Sequence, residues 1–241
     1  LSHKIGPMGT LYLIPVTLGD DNIAGALPLD VVGIAQKLDT FVVENEKTAR
    51  RFLGAIKTIK PIRELTLFTL NEHTADKEIP ALLAPLLAGN DVGLMSEAGC
   101  PGVADPGSKL IELAHHKGIR VSPLVGPSSI LLGLMASGLN GQRFAFLGYL
   151  PSEKAARTER LKEIEQISRK NNETQIFIET PYRNQHLLEA ILNTCNANTH
   201  LCIASQANLA DEFIVTKTVT QWKQSTLPDL HKKPTVFLLL S

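Results

Sequence analysis

Several features that would settle the class of this chain at once are missing or scarce. Only three of its 241 residues are cysteines, Cys100, Cys195 and Cys202. Their positions follow neither a metal-ligand spacing nor a disulfide framework, so a reducing compartment is expected. Neither charge is in excess, with 24 Lys and Arg against 24 Asp and Glu. No global field therefore draws the chain to nucleic acid or to an acidic membrane surface, and such a partner would have to be met by a local basic patch. No apolar run approaches the roughly 18 residues of a membrane span. The start carries neither an apolar signal core nor a cleavage pattern. A soluble, cytoplasmic protein without a membrane partner is the expectation. The opening "LSHKIGP" has no periodicity and reads as a tag remnant, which places the natural start at Met8.

The common signatures of nucleotide, metal and serine chemistry are absent as well. No GxGxxG follows the first apolar run, and there is no GxxxxGK[ST] phosphate loop. His73, His115, His116 and His186 lack zinc spacing, so no metal is expected. Ser128 and Ser129 stand in "VGPSSI" rather than in a GxSxG elbow. There Gly126 and Pro127 shape a turn from which the serines begin a helix, and their hydroxyls are candidate ligand partners.

What is present is an ordinary globular composition, 44% hydrophobic and 20% charged, on a chain long enough for one large domain or two small ones. "TLYLIPV" (10–16) reads as a buried strand. Then come a helix over 27–38, a strand over 40–44 and a helix over 45–57 with Ala49, Phe52, Leu53 and Ile56 on one side. Beyond these the pattern predicts a strand at 64–69, a helix in 76–88 that bends or breaks at Pro80 and Pro85, and a strand at 91–96. A helix from Pro106 to Lys117, begun by Asp105, precedes a strand at 119–124. Strands alternating with helices over 11–147 imply a mostly parallel sheet covered by helices. After "RFAFLGYLP" (143–151) the texture changes. A charged helix over 152–170, a helix over 184–194 and longer apolar or alternating runs predict a mixed sheet. The expected division is therefore an α/β domain over 8–141 and a second over 142–241.

One stretch stands apart. "SEAGCPGVADPG" (96–107) follows an apolar strand and combines Gly99, Gly102 and Gly107 with Pro101 and Pro106. Glycine permits close approach and left-handed backbone, while proline fixes φ, so this is a loop of defined shape. It reads equally as a tight strand-to-helix turn. The loops at 15–20, 96–105, 125–130 and 180–183 all follow predicted strands, where ligands of α/β sheets bind, and they are expected to share one cleft.

"LYLIPVTLGD" (11–20), "SEAGCPGVADPG" (96–107), "SPLVGPSSILLGLMASGL" (122–139), "RFAFLGYLP" (143–151) and "IFIETPYR" (176–183), in this order, resemble the tetrapyrrole-methylase superfamily of S-adenosylmethionine-dependent methyltransferases. The branch most similar is the bacterial one that methylates a cytidine 2′-hydroxyl in small-subunit ribosomal RNA. The resemblance implies a two-domain tetrapyrrole-methylase-like fold, a homodimer, and S-adenosylmethionine held in the cleft between the domains. It puts Leu18, Glu97, Cys100, Ser129, Ile130, Thr180, Ala207 and Pro234 near the cofactor. For Leu18, Ile130 and Pro234, plain packing is the competing reading.

The chain also departs from that branch. Asp20 stands for an asparagine, "ENEK" (44–47) keeps only Glu44 of an acid-acid-Thr-Arg motif, and Glu97 replaces an aspartate. Of a basic run after "GYLP" only Arg157 and Arg160 remain, and "ANLA" (207–210) replaces Arg-Glu-Leu-Thr. Glu44 and Lys47, which the resemblance brings to the cleft mouth, are the candidate catalytic pair, because a sugar hydroxyl must lose its proton as it is methylated. Arg50, Arg51, Arg157 and Arg160 are candidates for binding substrate phosphate. A solvated charged face is the competing reading of "EKTARR". Three functions follow: methylation of structured RNA, methylation of a small molecule or protein, and noncatalytic binding of the cofactor.

Overall fold

A computed structural model describes residues 7–241; most of the opening segment read as a tag remnant lies outside the described residues. The chain divides into two compact units, one ending at Ser128 and the other running from Ser129 to Ser241.

The first unit contains β1 (Thr10–Leu13), α1 (Ile23–Ala26), α2 (Leu29–Lys37), β2 (Thr40–Val43), α3 (Glu46–Ile56), β3 (Thr66–Thr69), α4 (Ala84–Leu87), β4 (Val92–Met95), α5 (Ser108–His116) and β5 (Arg120–Pro123). Its five strands are all parallel, in the order β3-β2-β4-β1-β5. Period-two alternation explains the two covered faces. Phe41 and Val43 of β2 join one core with Ala35 of α2 and Phe52, Leu53 and Ile56 of α3. Val42, between them, joins the opposite core with Leu83, Leu86 and Leu110. Gly93 of β4 is needed on the first face, where a Cβ would sit 2.5 Å from Ile14 Cδ1 and 2.8 Å from Phe41 Cδ1.

Local chemistry sets the helix ends. The Asn45 side chain accepts the N–H groups of Lys47 and Thr48 and so caps α3, whose apolar stripe is buried as its spacing predicts. The helix expected over 76–88 with a bend or break at its prolines is a 3₁₀ turn, Ile79–Leu83, followed by the one-turn α4. Pro80 and Pro85 each sit at a helix start, because a proline in the interior would lack its N–H and clash with the preceding turn. The helix expected to begin at Asp105 begins at Ser108, and its cap position, Gly107, has no side chain to offer. The Asp105 carboxylate is engaged elsewhere, as described below.

The second unit holds α6 (Ser129–Ser137), β6 (Phe144–Tyr149), α7 (Lys154–Asn171), β7 (Thr174–Ile178), α8 (Asn184–Thr194), β8 (His200–Ser205), β9 (Phe213–Thr218), α9 (Val219–Lys223) and β10 (Thr235–Leu240). The strand order is β6-β7-β10-β8-β9. β6 and β7 are parallel and the remaining pairs antiparallel, so this sheet is mixed. Helix α6 covers one face, packing Leu134 with Ile176, Ala204, Val236 and Leu238. On the other face α7 and α8 bury Leu161, Ile164, Leu187 and Ile191 against Phe177, Ile203 and Phe237.

Candidate functional site

In an open parallel sheet, ligands bind beyond the carboxyl ends of neighbouring strands whose connections leave in opposite directions. β1 leads to β2, on the far side of β4, and β4 leads to β5, on the far side of β1. The carboxyl ends of β1 and β4 are therefore that point in the first unit. Three loops meet there. Val16 and Gly99 form an isolated antiparallel bridge, with the Val16 N–H donating to the Gly99 carbonyl at 3.0 Å. Gly126 lies against Pro15 so closely that a Cβ would fall 2.1 Å from the Pro15 Cβ. Gly99 has φ of 70°, and a Cβ on it would stand 3.3 Å from both Leu18 Cδ2 and the Pro127 carbonyl oxygen. The Cys100 thiol closes the ring by donating to the Pro127 carbonyl at 3.3 Å. Burial pushes that thiol up, which keeps it protonated and unfit as a nucleophile.

The end of β2 joins this cluster through Glu44. Its backbone N–H donates to the Met95 carbonyl at 3.2 Å, and its carboxylate accepts the Glu97 N–H at 2.9 Å. Burial holds the Glu44 carboxyl above the usual carboxylate range. The Glu97 N–H opposes that shift, while the charges of Glu97, Asp105 and Glu72 add to it. Asp105 organises the rest of the glycine-rich loop. Both of its oxygens accept the Gly102 N–H at 2.9 Å, and Oδ1 also accepts the Gly107 N–H at 2.8 Å. Burial raises this carboxyl too, against the lowering effect of those N–H groups and of Ser96. Asp105 as the tie within the loop, and Glu72 as a neighbour of Glu44, were not read from the sequence. An aspartate standing between Gly102 and Gly107 was the available signal for the first.

Beside these loops lies a small crevice lined by Val16, Thr17, Asp21, Thr48, Arg51 and Glu97 among others. Arg51 Nε lies 3.4 Å from the Asp21 carboxylate, and Arg50 is held by Glu46 at 3.1 Å, both pairs being largely exposed. Lys47 is exposed on the first turn of α3.

In the second unit Thr180, Ala207 and Pro234 fall at one end of the sheet, where β7 and β8 finish and β10 starts. Ile178 pairs with Val236, Ser205 with Thr235, and the Gln206 N–H donates to the Pro234 carbonyl at 2.8 Å. Ser129 opens α6, and Ile130 packs with Leu134 and its neighbours. Arg157 is only 9% exposed and donates to the Ser152 carbonyl at 3.2 Å, whereas Arg160 pairs with Glu163 on the partly exposed side of α7. Among the described residues no helix is long and apolar enough to cross a membrane, and no three His, Cys, Asp or Glu residues are grouped as metal ligands would be.

Comparison with known proteins assigns this arrangement to a family. The ribosomal RNA small subunit methyltransferase I of Vibrio cholerae serotype O1 is 30% identical over 214 residues, covering 88% of this chain and 70% of the relative. Its namesake from Escherichia coli O157:H7 is 31% identical over 206 residues, covering 86% and 68%. In fold the chain is similar to the crystal structure of the methyltransferase CobJ, with a TM-score of 0.63 at 18% identity over 97% of this chain and 94% of that one. A sequence model of the tetrapyrrole (corrin/porphyrin) methylases matches residues 10–222, and with it the chain belongs to that family and is an S-adenosylmethionine-dependent methyltransferase.

Proposed function

We propose that the protein methylates a ribose 2′-hydroxyl of small-subunit ribosomal RNA. The observation that carries this reading is the Glu97 N–H bound to the Glu44 carboxylate at 2.9 Å, which ties a half-buried acceptor of protons to the glycine-rich loop. The names of the relatives supply the substrate class. The loops suit S-adenosylmethionine, whose adenine, ribose and amino-acid ends favour backbone and hydroxyl partners. Gly99 and Gly126 let the three loops close on one another, since a Cβ would meet Leu18 and Pro127 in one case and Pro15 in the other, and Leu18, Glu97 and Cys100 lie on these loops. When bound, the cofactor supplies a methyl group on a sulfonium.

The chain's own residues position the acceptor and manage its proton. Glu44 takes the proton of the attacking hydroxyl, a task its raised carboxyl suits better than an ordinary one. Lys47 offers a cation to the developing alkoxide. Arg50, Arg51 and Arg160 exchange their exposed carboxylate partners for phosphates, at small cost because such surface pairs contribute about 0–1 kcal/mol. A buried Arg157 holds the Ser152 turn in place instead of reaching phosphate directly. Leu131 and Met135, one turn apart on α6 and 51% and 79% exposed, form an apolar stripe suited to a second copy of the chain in a cytoplasmic homodimer.

A second reading, a small-molecule or protein acceptor, is favoured by the balanced formal charge and by the arginines already paired with acids. The two separate when labelled S-adenosylmethionine is incubated with small ribosomal subunits, bare RNA, total protein and a metabolite extract, all from cells lacking the gene. Label in RNA is expected. Label confined to protein or metabolites overturns the RNA acceptor and leaves the methyltransferase.

A further inference from the structure

The end of the second sheet that carries Thr180 and Pro234 also presents side chains that the cofactor and catalytic assignments do not use. Tyr182, in the loop after β7, is 66% exposed. His231 stands edge-on to its ring at 6.0 Å, and the Lys232 ammonium lies over the ring, 5.7 Å from its centroid. These groups come from two loops that are fastened together. The Lys232 N–H donates to the Pro181 carbonyl at 3.1 Å, and Asn184 Nδ2 donates to the Lys233 carbonyl at 2.7 Å. Lys232 itself holds a φ of 61°, a conformation that a non-glycine residue keeps only when its surroundings impose it.

The lysine charges on this surface are unpaired. Among the described residues neither Lys232 nor Lys233 has an ion-pair partner, while the nearby Asp229 carboxylate accepts the His231 N–H at 3.0 Å. Arg183, also partly exposed, bridges the Ser152 carbonyl at 3.1 Å and the buried Glu179 carboxylate at 3.4 Å, which holds the loop from the other side. A lone exposed tyrosine is ordinary. An exposed ring fixed by two loops, with unpaired Lys232 over one face and Lys233 next along the chain, has the chemistry by which proteins hold single-stranded nucleic acid, with aromatic stacking for a base and cations for its phosphates.

The geometry points to an RNA-binding platform on the second unit, in which Tyr182 stacks an unpaired base and Lys232 and Lys233 hold the flanking phosphates. It rests on the RNA reading above and adds to it the surface used and the single-stranded form of the segment bound there.

The test measures binding of deproteinised small-subunit RNA across a salt series, with calorimetric S-adenosylmethionine affinity and thermal melting as controls of site and fold. Tyr182→Ala and Tyr182→Leu should each weaken RNA binding about tenfold, and Tyr182→Phe by less than about twofold, because stacking needs the ring and not the hydroxyl. Lys232→Gln combined with Lys233→Gln should reduce the slope of log affinity against log salt by about 1.4, at roughly 0.7 per phosphate contact on a single strand. Cofactor affinity should be unchanged throughout. The leucine and lysine variants decide the matter should the alanine variant fail to fold. RNA binding by the unsubstituted protein that these variants leave intact overturns the platform alone. No RNA binding by the unsubstituted protein overturns the RNA reading and the platform with it. If polyglutamate binds and the substitutions abolish only that binding, the surface takes an acidic peptide and the proposal falls.

Discussion

The backbone N–H of Glu97 donates to the Glu44 carboxylate at 2.9 Å, joining residues 53 positions apart. The same contact brings the two acidic side chains near each other, so the Glu97 charge adds to burial in raising the Glu44 carboxyl. Protonation of Glu44 therefore favours the folded state. Its contribution to stability is complete below the ordinary carboxylate value and is lost as pH rises through the raised one.

This relationship makes a prediction for catalysis. The methyl-transfer rate should rise with pH as Glu44 loses its proton, with a midpoint above the usual glutamate value. Glu97→Gln removes a like charge and should move that limb to lower pH. Glu44→Gln should lower kcat by about 100-fold or more while leaving cofactor affinity nearly intact. Rate profiles over pH for the three proteins check it, and a limb that does not move in Glu97→Gln removes Glu44 as the titrating base.

Gly126 should tolerate no side chain. An alanine there meets the rigid ring of Pro15, with Cβ at 2.1 Å and Cγ at 2.5 Å. The expected cost is about 1–3 kcal/mol together with weakened cofactor binding. Gly33→Ala, within α2 and with nothing within 4 Å of the new Cβ, should instead stabilise by about 0.5–1 kcal/mol. Chemical denaturation and calorimetry of the pair separate the effect at the loops from the effect of any glycine replacement.

Asp105 should act on the cofactor through the shape of its loop. Asp105→Ala leaves the Gly102 and Gly107 N–H groups without their acceptor, at a cost of about 1–3 kcal/mol, and should loosen S-adenosylmethionine binding. Asp105→Asn keeps an oxygen at the position that accepts both and should retain most of the affinity. Equal loss in the two variants, measured by titration calorimetry, would point to the charge instead of the loop geometry.

Arg50→Ala combined with Arg51→Ala should change stability by less than about 1 kcal/mol, since the pairs with Glu46 and Asp21 are exposed. The double variant should nevertheless lose RNA affinity and show a flatter salt dependence, with S-adenosylmethionine binding unaffected. Unchanged RNA affinity returns these arginines to a solvated helix face.

Regular patterns made much of this fold legible in the sequence. The Ala49, Phe52, Leu53 and Ile56 stripe fixes α3, and strands separated by helices make the first sheet parallel. The glycines and prolines of 96–107 marked a shaped loop correctly, but its internal bonding was hidden. Asp105 before Pro106 has the form of a helix start, yet the N–H groups of Gly102 and Gly107 compete for the same carboxylate and win. The contact of Gly126 with Pro15 depends on the pairing of β1 with β5 and leaves no local trace. Arg157 is buried although an arginine on a charged helix normally faces water; it donates to the Ser152 carbonyl while its Nε has no partner, and no pattern in the sequence marks this. Helix α6 is apolar on every side, so its sequence does not say that it packs on the second sheet.

The position of the transferred methyl decides whether the acceptor is a ribose hydroxyl. RNA labelled from methyl-labelled S-adenosylmethionine is hydrolysed in alkali, which cleaves a phosphodiester only beside a free 2′-hydroxyl. Label is expected in an alkali-resistant dinucleotide from small-subunit RNA, appearing with the unsubstituted protein and about 100-fold or more slowly with Glu44→Gln. Label recovered in mononucleotides, as base methylation would give, or found only outside RNA, would contradict it.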